Sequence, residues 1–169
     1  SRTFRCDVVI APSGQAGATM KAITYTRYGS PDVLDLVEIS TPVPKDDEVL
    51  IRVRAAEATK ADCEMRSFKF SVRWFWLPLR LALGVRRPRR QVLGSYFAGE
   101  VAAAGRHVTG FAVGDEVFGS SGLRLGAYGE FMAVPAQGAI VEKPRAMTFA
   151  DAAAVPMGGL NALHFMRIA

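Results

Sequence analysis

The sequence has little of the chemistry that disulfide, metal and phosphate-binding sites require. It contains two cysteines and two histidines among 169 residues. Two thiols are too few for a disulfide framework or a four-cysteine metal site. The strings typical of phosphate loops, dinucleotide-binding turns and zinc proteases do not occur in it. Within these residues, those three motif classes are excluded.

Long apolar runs are also missing. No run approaches the roughly 20 residues that a membrane-spanning helix needs. The segment 1–19 contains only the short apolar run 8–11, which is too short for the apolar region of a secretory signal. Together with the scarcity of cysteine, this predicts a cytoplasmic protein.

Acidic residues are absent from one basic segment, residues 66–90, which holds eight lysines and arginines. The net charge of the chain is +5, yet outside this segment 13 basic residues face 16 acidic ones. The basicity therefore belongs to one segment, and general nucleic-acid binding does not follow from the net charge.

Most of the chain has the period-two alternation of strands, interrupted by glycine- and proline-rich turns. Several short strands separated by such turns predict a closed or partly closed barrel. The predicted strands cover residues 22–28, 33–39, 48–56, 96–104, 116–119, 129–134 and 139–142.

Helical patterns are confined to three places. Short helices are predicted over 59–68 and 77–84. Near the C-terminus, Thr148 with Asp151 three residues later is typical of a capped helix start. Pro156 is expected to interrupt that helix, which then resumes over 160–168. No cap follows, and we expect the sequence to be truncated within a longer protein.

Three stretches resemble medium-chain dehydrogenases. Residues 105–117 follow the pattern G-x-x-V-x-x-F-x-x-G-D-x-V, residues 126–131 are similar to a strand G-[GA]-x-A-E-[YF], and residues 147–156 resemble the helix leading to the cofactor domain. The resemblance implies a mainly β fold, namely a GroES-like, partly closed barrel with peripheral helices. It also implies that the chain is truncated before a Rossmann-type nucleotide-binding domain.

The same resemblance divides the chain into three parts. Residues 1–19 are expected to be a disordered or non-native extension, and residues 20–146 a GroES-like catalytic domain. Residues 147–169 would begin the helices that lead to the absent cofactor domain.

Zinc ligands are replaced at the positions where zinc-containing members of this superfamily carry them. Thr59 stands in place of the first cysteine, Ser95 in place of the histidine and Met157 near the position of the second cysteine. Zinc prefers thiolate, imidazole or carboxylate donors, so we predict no metal site. Cys63 is out of register for a ligand and is predicted to be a buried structural thiol.

The resemblance also implies site residues. Thr59 would face the nicotinamide ring, and Asn161 would lie near its carboxamide. The alternative, that both are ordinary polar residues at helix ends, stays open. Tyr96 joins Thr59 as a predicted catalytic residue. The substrate pocket is expected to be lined by Met65, Trp74, Trp76, Tyr96 and Met157.

The function implied is NAD(P)H-dependent reduction of quinones or α,β-unsaturated carbonyls without zinc. The cofactor, NADPH or NADH, would be bound mainly by the absent domain, so the fragment alone is expected to be inactive. The full-length protein is expected to be a homodimer. A zinc-independent alcohol dehydrogenase is the alternative among enzymes.

A second hypothesis stays open, in which the chain is a binding protein and not an enzyme. The basic segment also contains several aromatic residues, and in this hypothesis residues 66–90 bind RNA or anionic lipid without catalysis. As partners of the reductase, in contrast, we expect neither nucleic acid nor a membrane.

Overall fold

A computed structural model of the chain describes residues 17–70 and 76–168. Within them the architecture is mainly β, as predicted. The strands are β1 (Thr19–Tyr25), β2 (Leu34–Ser40), β3 (Glu48–Glu57), β4 (Tyr96–Ala104), β5 (Glu116–Ser120), β6 (Phe131–Pro135) and β7 (Ala139–Glu142). The helices are α1 (Lys60–Ser67), α2 (Trp76–Leu83) and α3 (Phe149–Ile168), with short 3₁₀ turns at Pro31–Val33 and Gly122–Arg124.

The strands form a five-stranded antiparallel sheet and a two-stranded hairpin. The order in the larger sheet is β6-β3-β4-β5-β7, and β1 pairs with β2. Single bridges, Ala22 to Gly129 and Thr24 to Val92, tie the hairpin to the rest. Two register shifts in β3 disrupt its ladder with β4, at Leu50/Ile51 and at Val53/Ala55. Such irregularities bend a strand, so the sheet curls into a partly closed barrel.

The main core lies inside the curled sheet, where alternate residues of neighbouring strands meet. Val49 and Ile51 on β3, Phe97 and Val101 on β4 and Val117 on β5 are almost fully buried. Val49 and Ile51 share the core face that alternation predicts for β3, yet Leu50 between them is buried too. In β4, Ala98 is buried between Phe97 and Gly99 because α3 covers the other face of the strand.

Helix α3 is continuous, so the predicted interruption at Pro156 is wrong. Its start is capped as expected, since the Thr148 hydroxyl oxygen accepts from the Asp151 backbone N–H at 3.1 Å. Ala152 and Ala153 then pack against Ala98 of β4. Pro156 forgoes one hydrogen bond, but its ring is buried and the preceding residues are largely alanine, the best helix former. Beyond Met157 the helix is exposed.

Two further observations bear on the sequence predictions. Residues 1–16 of the expected extension lie outside the described residues, and Thr19 already belongs to β1, paired with Ser40. Among the described residues, no helix is both long and apolar enough to cross a membrane.

Phe97 provides a test of the barrel core. Its side chain is 0% exposed, so Phe97→Ala should leave a cavity and lower the free energy of unfolding by about 3–5 kcal/mol. Urea denaturation of the chain measures this change. Leu123→Ala is the matched control, because Leu123 is 85% exposed and its truncation should cost less than about 0.5 kcal/mol. If Phe97→Ala does not fold, Phe97→Leu should show a smaller loss of the same sign; equal stabilities of Phe97→Leu and wild type would contradict the assignment.

Candidate active site at the start of helix α1

A reciprocal capping arrangement connects β3 to α1. Thr59 is the N-cap residue, with extended backbone angles of φ −108° and ψ 164°. Its hydroxyl oxygen accepts from the Asp62 backbone N–H at 3.3 Å, and Asp62 Oδ2 accepts from the Thr59 backbone N–H at 2.9 Å. Both residues are buried. The Thr-x-x-Asp spacing thus places a carboxylate under the first turn of the helix.

The Thr59 hydroxyl has one acceptor lone pair that is not used within this arrangement. It donates its only proton to Asp62 Oδ2 at 2.7 Å, and one lone pair takes the Asp62 N–H. A hydroxyl has one donor and two acceptor lone pairs. With Asp62 as a carboxylate, Thr59 can therefore accept one more hydrogen bond but cannot donate one.

Asp62 also joins α1 to the segment that precedes β4. Its second oxygen, Oδ1, accepts from the Gly94 backbone N–H at 3.1 Å, across 32 residues of sequence. Burial and the charge of Asp62 raise the pKa of the nearby Tyr128 phenol, with burial the larger cause. Burial, Tyr28 and Asp62 raise the pKa of Tyr25 to about 12. The carboxylate therefore lies among neutral phenols and backbone donors.

Gly94 needs to be glycine for two reasons. Its φ is +89°, in the left-handed region that side chains disfavour. A Cβ added there would lie 2.6 Å from Cδ1 of the Tyr128 ring. The close approach of backbone to ring is what lets the Gly94 N–H reach Asp62.

Tyr96 opens β4 directly after this segment and pairs in register with Glu57, two residues before Thr59. The fold thereby brings both predicted catalytic residues to adjacent ends of β3 and β4. Tyr96 is half-buried, and its hydroxyl has no hydrogen-bond partner within the described residues. The oxygen Oε2 of Glu57 is buried and likewise has no partner in that part of the chain.

The other predicted site residues lie on different helices and differ in their exposure to solvent. Met65, on α1, packs against the cluster of Tyr25, Val33, Leu93 and Leu125. Met157 is half-buried and Asn161 exposed, both on α3. Trp74 lies outside the described residues, and Trp76 is described only as the first residue of α2.

Cys63 is exposed, so its prediction as a buried thiol is wrong. It follows Asp62 on α1, and successive helical residues point about 100° apart. Because Asp62 faces the interior, Cys63 is rotated away from it. The exposure of Cys63 is decided by its position around the helix relative to Asp62, which the residue type of Cys63 alone does not show.

The residues at the predicted zinc positions do not form a zinc donor set. A threonine hydroxyl already bonded to Asp62, a serine and a thioether lack the thiolate and imidazole donors that zinc prefers. Within 17–70 and 76–168, no group of three or more His, Cys, Asp or Glu side chains is arranged to hold a metal ion.

Sequence reasoning missed four residues of this site: Glu57, Asp62, Gly94 and Tyr128. A signal existed for Asp62, because Thr-x-x-Asp is the spacing of a capping pair. For Gly94 and Tyr128 no local signal exists, since their contact joins segments that are distant in the sequence.

Comparison with known proteins supplies the family. Residues 45–145 match the alcohol dehydrogenase GroES-like domain. The 2-methylene-furan-3-one reductase of Solanum lycopersicum is 35% identical over 146 residues, covering 82% of this chain and 34% of the relative.

Solved structures of similar proteins agree with this family match. The quinone oxidoreductase of Coxiella burnetii superposes with a TM-score of 0.76 at 30% identity, over 90% of this chain and 45% of that one. The Escherichia coli quinone oxidoreductase complexed with NADPH gives a TM-score of 0.71 at 26% identity, over 89% and 40%.

The chain spans between 34% and 45% of the lengths of these three proteins. The sequence match over the barrel and the superposition of its curled sheet lead to the same assignment. This chain belongs to the medium-chain dehydrogenase/reductase superfamily and contains its GroES-like domain.

Proposed function

We propose that this chain forms the substrate-side domain of a zinc-independent reductase that transfers hydride from NAD(P)H to quinones or α,β-unsaturated carbonyls. A second domain would hold most of the nucleotide. The observation that carries the proposal is the hydrogen-bonding inventory beside α1. Among the described residues, the Tyr96 hydroxyl is a donor without a partner, at the strand ends that also carry two unfilled acceptors, Thr59 Oγ1 and Glu57 Oε2.

The Thr59 acceptor fits the amide side of a nicotinamide. A carboxamide NH₂ has two N–H donors, and the free lone pair of Thr59 can accept from one of them. Burying an acceptor without a partner costs free energy, so a ligand that donates there would be favoured. NAD(P)H supplies the hydride when bound; the residues of this chain orient the ring and exclude water.

The donor fits the substrate. Hydride addition to a conjugated carbonyl leaves negative charge on oxygen, and the Tyr96 hydroxyl can stabilise that oxygen by donating a hydrogen bond. Because conjugation delocalises the charge, hydrogen bonding can replace the Lewis acid that zinc supplies in other enzymes. The names of the similar proteins, a 2-methylene-furan-3-one reductase and quinone oxidoreductases, support this substrate class.

Tyr96→Phe tests the donor. In the enzyme with its nucleotide-binding domain, the substitution should lower kcat for 1,4-benzoquinone by about 10²-fold, because one donor to the developing oxyanion is removed. Tyr28→Phe is the control, since the Tyr28 hydroxyl lies away from the strand ends, within hydrogen-bonding distance of the Leu83 and Gly84 backbone oxygens. It should leave kcat unchanged. Equal kcat for Tyr96→Phe and wild type, at equal melting temperature, would rule out the assigned role.

Thr59 provides a second test. Thr59→Val removes both the cap and the remaining acceptor, so the free energy of unfolding should fall by about 1–2 kcal/mol. The KM for NADPH should rise several-fold. Thr59→Ser keeps the hydroxyl and should restore both. An unchanged KM in a folded Thr59→Val enzyme would show that Thr59 does not contact the cofactor.

The absence of zinc is a prediction that elemental analysis can check. We expect far less than one zinc per chain in protein purified without a metal-binding tag, because the three predicted positions lack zinc donors. One equivalent that survives dialysis against a chelator would show that the donor set lies elsewhere in the protein.

A further inference from the structure

Helix α2 leads into a basic turn, defined here as residues 84–90. Four arginines of the turn, Arg86, Arg87, Arg89 and Arg90, are exposed. No acidic residue occurs between residues 65 and 99 of the sequence. The turn therefore concentrates positive charge on a chain whose remaining residues outside 66–90 are net acidic.

The turn is anchored to the body of the domain. The Tyr28 hydroxyl is within hydrogen-bonding distance of the backbone oxygens of Leu83, at 3.0 Å, and Gly84, at 2.9 Å. The Arg80 guanidinium lies over the rings of Tyr28 and Phe68, 4.6 and 4.2 Å from their centroids. Contacts of this kind, from one aromatic residue to both backbone and cation, fix the end of α2.

The turn itself is closed by short-range backbone bonds. The Arg89 N–H donates to the Leu83 oxygen at 2.9 Å, and Gly84 adopts a φ of +118°. A Cβ on Gly84 would overlap the Arg87 carbonyl oxygen, 2.0 Å away. Pro88 is buried. The arginine side chains are thus displayed from a compact turn.

These arginines have no ion-pair partner in the part of the chain that the structure describes. None of the ion pairs formed within residues 17–70 and 76–168 includes Arg86, Arg87, Arg89 or Arg90. Four uncompensated cations so close together in the chain repel one another. An external anionic surface would remove that repulsion.

Exposed apolar side chains lie beside the same turn. Leu81 on α2 is 56% exposed, and Val85 within the turn is 54% exposed. Nucleic acid would satisfy the arginines but offers no hydrocarbon to two aliphatic side chains. A membrane with anionic headgroups offers both, which is the composition that interfacial helices recognise.

We infer that α2 and the basic turn form a peripheral docking surface for membranes that contain anionic phospholipid. The arginines bind headgroup phosphates while Leu81 and Val85 enter the interface. The inference is independent of the proposed reductase activity, and it differs from the expectation, stated for the reductase, that a membrane is not a partner.

Sedimentation with vesicles tests the surface, using pure phosphatidylcholine and an equimolar mixture of phosphatidylcholine and phosphatidylglycerol. The chain should bind the anionic vesicles at least tenfold more tightly than the neutral ones, and added salt should weaken binding. R86A/R87A/R89A should reduce binding to the anionic vesicles by at least tenfold. The matched control, K21A/R145A/R167A, removes the same charge from other exposed positions and should reduce it less than threefold. L81S/V85S should weaken binding several-fold.

Three results would overturn the inference. Equal binding to neutral and anionic vesicles would assign the interaction to other apolar surface, such as the exposed end of α3. If the two triple variants lose binding to the anionic vesicles equally, the binding depends on net charge and not on this surface. Tighter binding to a single-stranded RNA than to the anionic vesicles, unaffected by L81S/V85S, would make the surface a nucleic-acid site.

Discussion

The buried carboxylate of Asp62 is the interaction on which the candidate site depends. Its two oxygens accept from the Thr59 backbone, the Thr59 hydroxyl and the Gly94 backbone. A buried charge is tolerated only when hydrogen bonds replace its hydration. Because these donors come from the end of β3 and from the segment before β4, satisfying one carboxylate also holds the two strand ends and the start of α1 together.

The same network decides what Thr59 can offer a ligand. Thr59 donates its proton to Asp62, so it is left as an acceptor. Tyr96 and Glu57, paired in register on the neighbouring strands, keep an unused donor and an unused acceptor. The capping pair sets the role of Thr59 alone, because the direction of its hydrogen bond is fixed once the carboxylate is placed.

A second part of the molecule is organised by charge. The aromatic rings of Tyr28 and Phe68 hold Arg80 at the end of α2, while the arginines of the basic turn stay exposed. A guanidinium that lies over an aromatic ring is stabilised by the attraction between its charge and the ring face. A guanidinium exposed at a turn is stabilised by water instead. Within this short segment, Arg80 therefore fixes the helix to the domain, while the arginines of the basic turn remain available to a partner.

Local patterns in the sequence determined much of this protein by themselves. Alternation predicted all seven strands to within a few residues, and the Thr148/Asp151 pair predicted the start of α3. The tertiary structure decided the rest: the continuity of α3 through Pro156, the exposure of Cys63 and the contact of Asp62 with Gly94. Periodicity and capping involve residues within one or two turns, so the sequence displays them directly. Exposure, tolerance of a proline and a hydrogen bond between distant segments depend on which surfaces pack together, and that information exists only once the sheet has curled.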